Sequence, residues 1–426
     1  MPVRPARRRA ALALASIAAF SLVLVGCAAD EHVEIDVPAQ VDAAFPEATA
    51  QQLTDAATHA MTASGASGAI VGVWAPWSGT LVTGLGVQSP AGDRAVTDDM
   101  EFRVAQVTRA MTCDVLYEVA DEGLVRLKDP VTKWVPGFPD LSDVTLDELC
   151  DSTSGIGAYA PQLTGLFLSN PTRTWNPREL ASYGLGQPRT EPAGVTYRSS
   201  DAGYILLGVA LERATGRSAA ELFQDYVFDP LDMTATRLPT SAAADSTAPV
   251  LPGHHSAPDA AGAMNCTAPL DITALSTSTG YTDSGVVSNI HDLGRYAQAL
   301  ADGAILPDGI DRFDNPLPIS PSAASWYTTS GGAYQAGSLV GQFGSVPGYA
   351  TAAFSVPRSG LTVAVVVNNS GGGAGFAEQL ALELAAIASK APAAKGSTIP
   401  EAGLPWTAQQ YHDLIAGSAI CSAPPA

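Results

Sequence analysis

The chain of 426 residues sets 42 Asp plus Glu against 22 Lys plus Arg, a formal charge of −20. Acidity on that scale repels phosphate and argues against nucleic acid as a partner. A hydrophobic fraction of 46% with 15% charged residues allows a large core, in one big domain or two interleaved lobes, and 7% aromatics beside abundant Ala and Gly point to helices packed closely on a sheet.

The first segment, "MPVRPARRRAALALASIAAFSLVLVGCAAD", places Arg4, Arg7, Arg8 and Arg9 before an apolar run from Ala10 to Val25, closed by Gly26 and Cys27. The run is short for a membrane-spanning helix, and a small residue followed by Cys is what lipid attachment requires. It predicts a lipoprotein signal over residues 1–26, with Cys27 as the lipid-bearing N-terminus of a protein held on the outer face of the cell membrane. Loss of residues 1–26 removes four Arg and no acid, so the net charge becomes −24. Four further cysteines remain, Cys113, Cys150, Cys266 and Cys421. An even number outside the cytosol reads as up to two disulfides with three connectivities open.

Residues 27–45 are acidic, contain Pro and lack a period, as expected of a tether. A domain is expected over 46–390. It begins with the helical spacing of "PEATAQQLTDAATHAMTAS" and continues with "GAIVGVWAPWSGTLVTGLGV", two strands about a turn. Phe102 to Leu127 reads as one helix, with Val107, Met111, Val115 and Val119 on a buried stripe and Asp114, Glu118, Asp121 and Glu122 on the wetter side. Residues 241–265, rich in Ala, Ser, Pro and Asp, read as an excursion over the surface. "GQFGSVPGYATAAFSVPRSGLTVAVVVNNS" alternates strands and turns, and "GFAEQLALELAAIASK" is a terminal helix. The tail, 391–426, holds the short amphipathic "WTAQQYHDLIAG" pinned back through Cys421. This order predicts an α/β (α+β) fold: an antiparallel sheet flanked by helices from both chain ends, with a helical lobe inserted.

Six stretches carry a family signature: "FRVAQVTRAMTCDVLYEVADEGLVRLKDPVTKWVPGFP", "TLDELCDSTSGI", "YRSSDAGYILLGVALERATG", "FDPLDMTATRL", "GVVSNIHDLGRYAQAL" and "GQFGSVPGYAT". Across roughly residues 48–390 they resemble the serine β-lactamase-like and penicillin-binding-protein-like hydrolases, the group of class C β-lactamases, D-Ala-D-Ala carboxypeptidases and esterases. The resemblance implies three motifs: Ser-x-x-Lys at the start of a buried helix, Tyr-x-Asn (or Asp) on a loop, and Lys or His-x-Gly on a strand. Serine attacks the acyl carbon, Lys and Tyr move protons, and backbone N–H groups stabilise the oxyanion.

Carried over position by position, "QVTR" puts Gln106 at the nucleophile and Arg109 at the lysine. "SSD" puts Ser199 at the tyrosine and Asp201 at the third position, and "QFG" puts Gln342 at the Lys or His with Gly344 kept. A Gln amide is no nucleophile, Arg does not release its proton at neutral pH, and Ser199 lacks a phenolic oxygen. No intact catalytic set is therefore expected. Alternatives are a shifted register with Thr108 or Ser200 as nucleophile, or Tyr197 replacing the missing tyrosine from two residues upstream.

The resemblance further implies that Arg109 reaches Asp201, that Gln106 fills space vacated at Ser199, and that the backbone N–H groups of Gln106 and Ser345 remain free to hold a ligand carbonyl or carboxylate. It pairs Cys113 with Cys150, because the family packs the "TLDELC" helix beside the catalytic helix, and leaves Cys266 to Cys421. The six histidines form no metal-ligand motif, and His254-His255 reads as solvated loop, so neither a metal nor a cofactor is expected.

The leading expectation is a lipid-anchored pseudoenzyme whose relict cleft binds a peptidoglycan stem peptide or an envelope protein. An acyl hydrolase with an unrecognised nucleophile and a structural envelope lipoprotein are the alternatives.

Overall fold

The computed structural model describes residues 32–240 and 248–421. Helix α1 (Glu47–Ser64) leads into the hairpin β1 (Gly68–Ala75) and β2 (Gly79–Gly86), then a short β3 (Phe102–Arg103) enters α2 (Val107–Asp121). The helical lobe follows as α3 (Leu146–Cys150), α4 (Ala160–Ser169), α5 (Pro177–Leu185), α6 (Asp201–Thr215) and α7 (Ala219–Phe223). The chain continues through β4 (His254–His255), β5 (Leu270–Asp271), α8 (Tyr281–Ser284), β6 (Val287–Ser288) and α9 (Ile290–Asp302). It then runs back along the sheet as β7 (Leu317–Pro318), β8 (Tyr327–Ser330), β9 (Ala333–Ala336), β10 (Leu339–Val346), β11 (Tyr349–Ser355) and β12 (Thr362–Val367), and ends in α10 (Gly375–Ala388) and α11 (Ala408–Gly417).

Period-two alternation explains why the central strands are apolar throughout. Ala69, Val71 and Val73 of β1 and Val363, Val365 and Val367 of β12 face one core, while Ile70, Ala364 and Val366 face the other. The first core is closed by α1, α10 and α11, and the second by α2, α9 and the lobe. The sheet order is β2-β1-β12-β11-β10-β9-β8-β7, antiparallel at the pairings from Ala69↔Val367 to Val346↔Tyr349. The two chain ends thus meet at β1 and β12, and the lobe is inserted between β3 and β6, as the element order predicts.

Two expectations about α2 need correction. Phe102 and Arg103 are not helical but pair with Ser288 and Val287. Asp114 is not on a wet side: it is fully buried, accepting from Tyr296 Oη at 2.7 Å and forming an ion pair with Arg312. A partner some two hundred residues downstream has turned what helix periodicity reads as a solvent face into core.

Residues 1–26 and Cys27, the predicted signal and lipid site, lie outside the described residues. The described part of the predicted tether is attached to the domain: Val33 N–H donates to Pro230 C=O at 2.9 Å, Asp36 N–H to Asp302 Oδ2 at 2.9 Å, and Phe45 is buried. The tail belongs to the core: Trp406, just before its C-terminal helix, and Tyr411 and Ile415 within it are buried in the core that α1 and α10 close. A capping box between Thr407 and Gln410 starts that helix. The disulfides are Cys113–Cys150, which ties α2 to α3, and Cys266–Cys421, which ties the tail back.

The predicted surface excursion holds for residues 258–265, which are largely exposed, but is corrected for residues 251–256. Residues 241–247 lie outside the described residues, but Leu251 and His254 are buried, and His254 N–H donates to Asn368 C=O at 2.9 Å. His254 and His255 pair with Asp271 and Leu270 as strands rather than standing in solvent.

Candidate functional site: a cleft plugged from within

The chain enters α2 through Ala105, buried and held at φ 52°, a backbone conformation that costs a residue with a Cβ about 1 kcal/mol or more. Gln106 follows at the N-cap, where its side chain makes no capping bond. It turns instead toward β10, and Oε1 accepts the Ser345 N–H at 2.7 Å. Such close approach needs Gly344: a Cβ there would lie 1.9 Å from Gln106 Oε1 and 2.7 Å from the Gln106 backbone nitrogen. The expectation that the Ser345 N–H stands free for a ligand is therefore corrected, because the molecule's own amide occupies it. Gln106 points to Ser345 and not to Ser199.

Arg109 sits one turn into α2 and is 7% exposed. Its expected partner Asp201 is also corrected. Arg109 Nε bonds Asp283 Oδ1 at 2.7 Å, Nη1 donates to Ser199 Oγ at 2.7 Å, and the guanidinium lies 4.9 Å from the Tyr204 ring centre. Burial alone would lower its pKa, but the facing Asp283 carboxylate, helped by Tyr204, Tyr197 and Tyr334, outweighs this and holds it above the usual arginine range. Asp201 is engaged elsewhere. As the first residue of α6 it accepts Tyr159 N–H at 2.6 Å and Ala160 N–H at 2.9 Å, satisfying donors at the start of α4 that no side chain of α4 caps.

The remaining predicted positions divide. Ser199 is exposed, accepts from Arg109 and does not line the cleft. Gln342 is buried, donates through Nε2 to Gly332 C=O at 2.5 Å and does not line the cleft. Neither hydroxyl of the shifted register is available: Thr108 Oγ1 is buried and donates to Ala105 C=O at 2.8 Å, and Ser200 Oγ caps α6 through Gly203 N–H at 3.0 Å. Tyr197 pairs with Tyr334, hydroxyl to hydroxyl, at 2.7 Å.

The cleft itself has a volume of about 180 Å³ between the sheet and the lobe, and its polar rim includes Gln106, Asp201, Asp283, Ser284, Ser345 and Ser370. His255 borders it too, with Nδ1 2.8 Å from Ser370 Oγ. Asp283, Ser284, His255 and Ser370 were not anticipated from the sequence. Asp283 lies two residues before the quoted "GVVSN" phrase, and the buried cation opposite it gives it a role.

Burial, and then the neighbouring Asp283 charge, push Asp201 up to about 6. Burial pushes Asp151 up to about 6 as well. Both acids bind protons more tightly folded than unfolded, so their stabilising contribution is fully present below about pH 4 and is lost as pH rises through about 6. Urea unfolding midpoints are expected to rise as pH falls from 7.5 to 5, with a smaller rise in Asp201→Asn. A midpoint that falls over that range would contradict the assignment.

The Beta-lactamase family model matches residues 53–387. Among curated proteins, penicillin-binding protein 4* of Bacillus subtilis (strain 168) is 29% identical over 147 residues, 32% of this chain and 30% of that protein. The D-alanyl-D-alanine-carboxypeptidase/endopeptidase AmpH of Escherichia coli (strain K12) is 27% identical over 197 residues, 45% of this chain and 50% of that protein. The matched stretches thus span half or less of these relatives. Among solved structures, a D-stereospecific amidohydrolase from Streptomyces sp. superposes with a TM-score of 0.65 at 24% identity, covering 76% of this chain and 94% of that one.

Proposed function

The chain belongs to the β-lactamase family, and from that premise we propose a member without acyl transfer: a lipid-anchored, extracytoplasmic binding protein that uses the relict cleft to hold the end of a cell-wall peptide. The observation that carries this reading is the Gln106 carbonyl on the Ser345 N–H at 2.7 Å. In the family's arrangement an oxyanion would be held at that N–H, and the residue that should attack instead supplies the oxygen that fills it. No proton relay is on hand either, since Arg109 is locked on Asp283 and Gln342 on Gly332.

A cleft of about 180 Å³ is smaller than the roughly 300–1,000 Å³ of drug-sized pockets, which suits one terminal residue of a peptide. That the cleft is open at all argues against a purely structural role. The cell-wall ligand draws on the names of the relatives, a penicillin-binding protein and a D-alanyl-D-alanine carboxypeptidase. The anchor and the outer face of the membrane rest on the sequence pattern ending at Cys27.

A second reading has one observation in its favour: the His255–Ser370 contact at 2.8 Å is a hydroxyl beside a base at the cleft wall, the arrangement an alternative serine hydrolase would need. Fluorescent penicillin separates the two. Neither the parent protein nor Gln106→Ser is expected to be labelled or to hydrolyse β-lactams, because Arg109, Ser199 and Gln342 still lack proton-transfer chemistry. Stoichiometric labelling at Ser370 would establish the hydrolase instead. In the same preparations, membrane association is expected to disappear in Cys27→Ala, and unchanged association and mass would remove the anchor from the proposal.

A further inference from the structure

On the opposite face of the sheet from the cleft, three helices bring together residues that no sequence spacing connects. His59 of α1 and His412 of α11 stack with ring centres 3.8 Å apart and planes inclined by 20°. His412 Nδ1 lies 3.0 Å from Oε1 of Glu383, on α10. The potential ligand atoms of the three residues all lie within 4.8 Å of one another.

The cluster is short of partners. Glu383 is 3% exposed, and its Oε2 has no hydrogen-bond partner among the described residues; His59 Nδ1 is buried and equally without one. Burying a carboxylate oxygen without a donor costs free energy that the helix packing does not require, since an apolar residue at 383 would fill the same place. His412 occupies Oε1 of that carboxylate, so Oε2 and His59 Nδ1 are left as the unpartnered donor atoms of the cluster among the described residues.

We propose that His59, Glu383 and His412 form a binding site for a divalent transition-metal ion, zinc foremost. Two imidazoles and one carboxylate match the donor preference of Zn²⁺, with water completing a tetrahedral set. Ligand-to-metal distances near 2.0–2.2 Å place two ligand atoms within about 4 Å of each other, so modest side-chain rotation from the present arrangement suffices. Bound there, the ion would clamp α11, and with it the tail that carries Cys421, onto α1 and α10. The site is independent of the cleft and of the proposed peptide binding.

The test uses the full chain stripped with a chelator and titrated with Zn²⁺ alone by calorimetry, alongside thermal unfolding with and without the ion. One zinc per chain and a raised melting temperature are expected, since a ligand that binds only the folded state stabilises it. His59→Ala and His412→Ala should each weaken binding by more than the roughly 10–100-fold that loss of a partner outside the direct ligands typically costs. Glu383→Gln preserves shape and is expected to weaken binding as well, which keeps the test informative should a histidine variant fold poorly. His291→Ala, on an exposed position of α9, should leave binding unchanged. Absence of binding to the parent chain, equal binding by Glu383→Gln, or an equal loss in His291→Ala would each overturn the site.

Discussion

Asp283→Ala is expected to destabilise the protein by about 3–5 kcal/mol, the usual cost of removing one member of a buried ion pair. The magnitude follows from what remains. Arg109 and Asp283 have side chains 8% and 1% exposed, and the Nε–Oδ1 contact is 2.7 Å. Without the carboxylate, the guanidinium keeps the Ser199 hydroxyl and the Tyr204 ring, neither of which neutralises it. A folded state with total stability of about 5–15 kcal/mol would lose a large share of it.

Replacing both partners, Arg109→Met with Asp283→Leu, is expected to recover most of the loss, because two apolar groups of similar size leave no charge stranded. Urea denaturation of the three variants measures this directly. An Asp283→Ala protein as stable as the parent would show that Arg109 finds another anion or reaches water. The titration of Asp201 gives an independent readout: with Asp283 gone, one of the two causes that push it up to about 6 disappears, so its pKa should fall.

Gly344→Ala is the second large effect. The added methyl group would lie 1.9 Å from Gln106 Oε1 and 2.6 Å from its Cβ, distances no packed pair tolerates. Overpacking of this kind costs about 1–3 kcal/mol and at times more. Shortening the neighbour is not expected to rescue it, because the Gln106 backbone nitrogen itself would stand 2.7 Å from the new Cβ. The double variant Gly344→Ala with Gln106→Ser should therefore remain destabilised relative to Gln106→Ser alone. Full rescue would mean that the constraint on Gly344 comes from the Gln106 side chain, and that the backbones of α2 and β10 can separate. The glycine is thus needed for the approach of β10 to the start of α2, whether or not catalysis survives there.

The Arg109 pair and the Gly344 contact both fall at positions that match the family's catalytic motifs. Arg109 and Gln106 are each satisfied by groups of the protein itself, a carboxylate in one case and a backbone N–H in the other. A cation and an amide in this position would be costly if left unpaired, and their partners make the site internally complete.

The sequence by itself determined the layout. Unbroken apolar strands at 68–75 and 362–367, helical periods at both ends of the domain and a run of helices between them dictate a sheet covered on both faces with a lobe inserted, because local periodicity is a property of neighbouring residues. Motif register determined which residues stand at the family's catalytic positions, and that Gln106, Arg109, Ser199 and Gln342 lack its chemistry. Partners across the fold were decided only by tertiary structure. Arg109 has two acids within the same site, and the choice between them fell to Asp283 because the first turn of α6 commits Asp201 to the N–H groups of α4. Gln106 was free to face Ser199 or β10, and the absence of a Cβ at Gly344 opened the second path. His59 lies more than three hundred residues before Glu383 and His412, which are themselves 29 residues apart on different helices, and the three meet only because α1, α10 and α11 pack on one face of the sheet. Side-chain pairing at such separations depends on backbone positions set by the whole core, which no local pattern encodes.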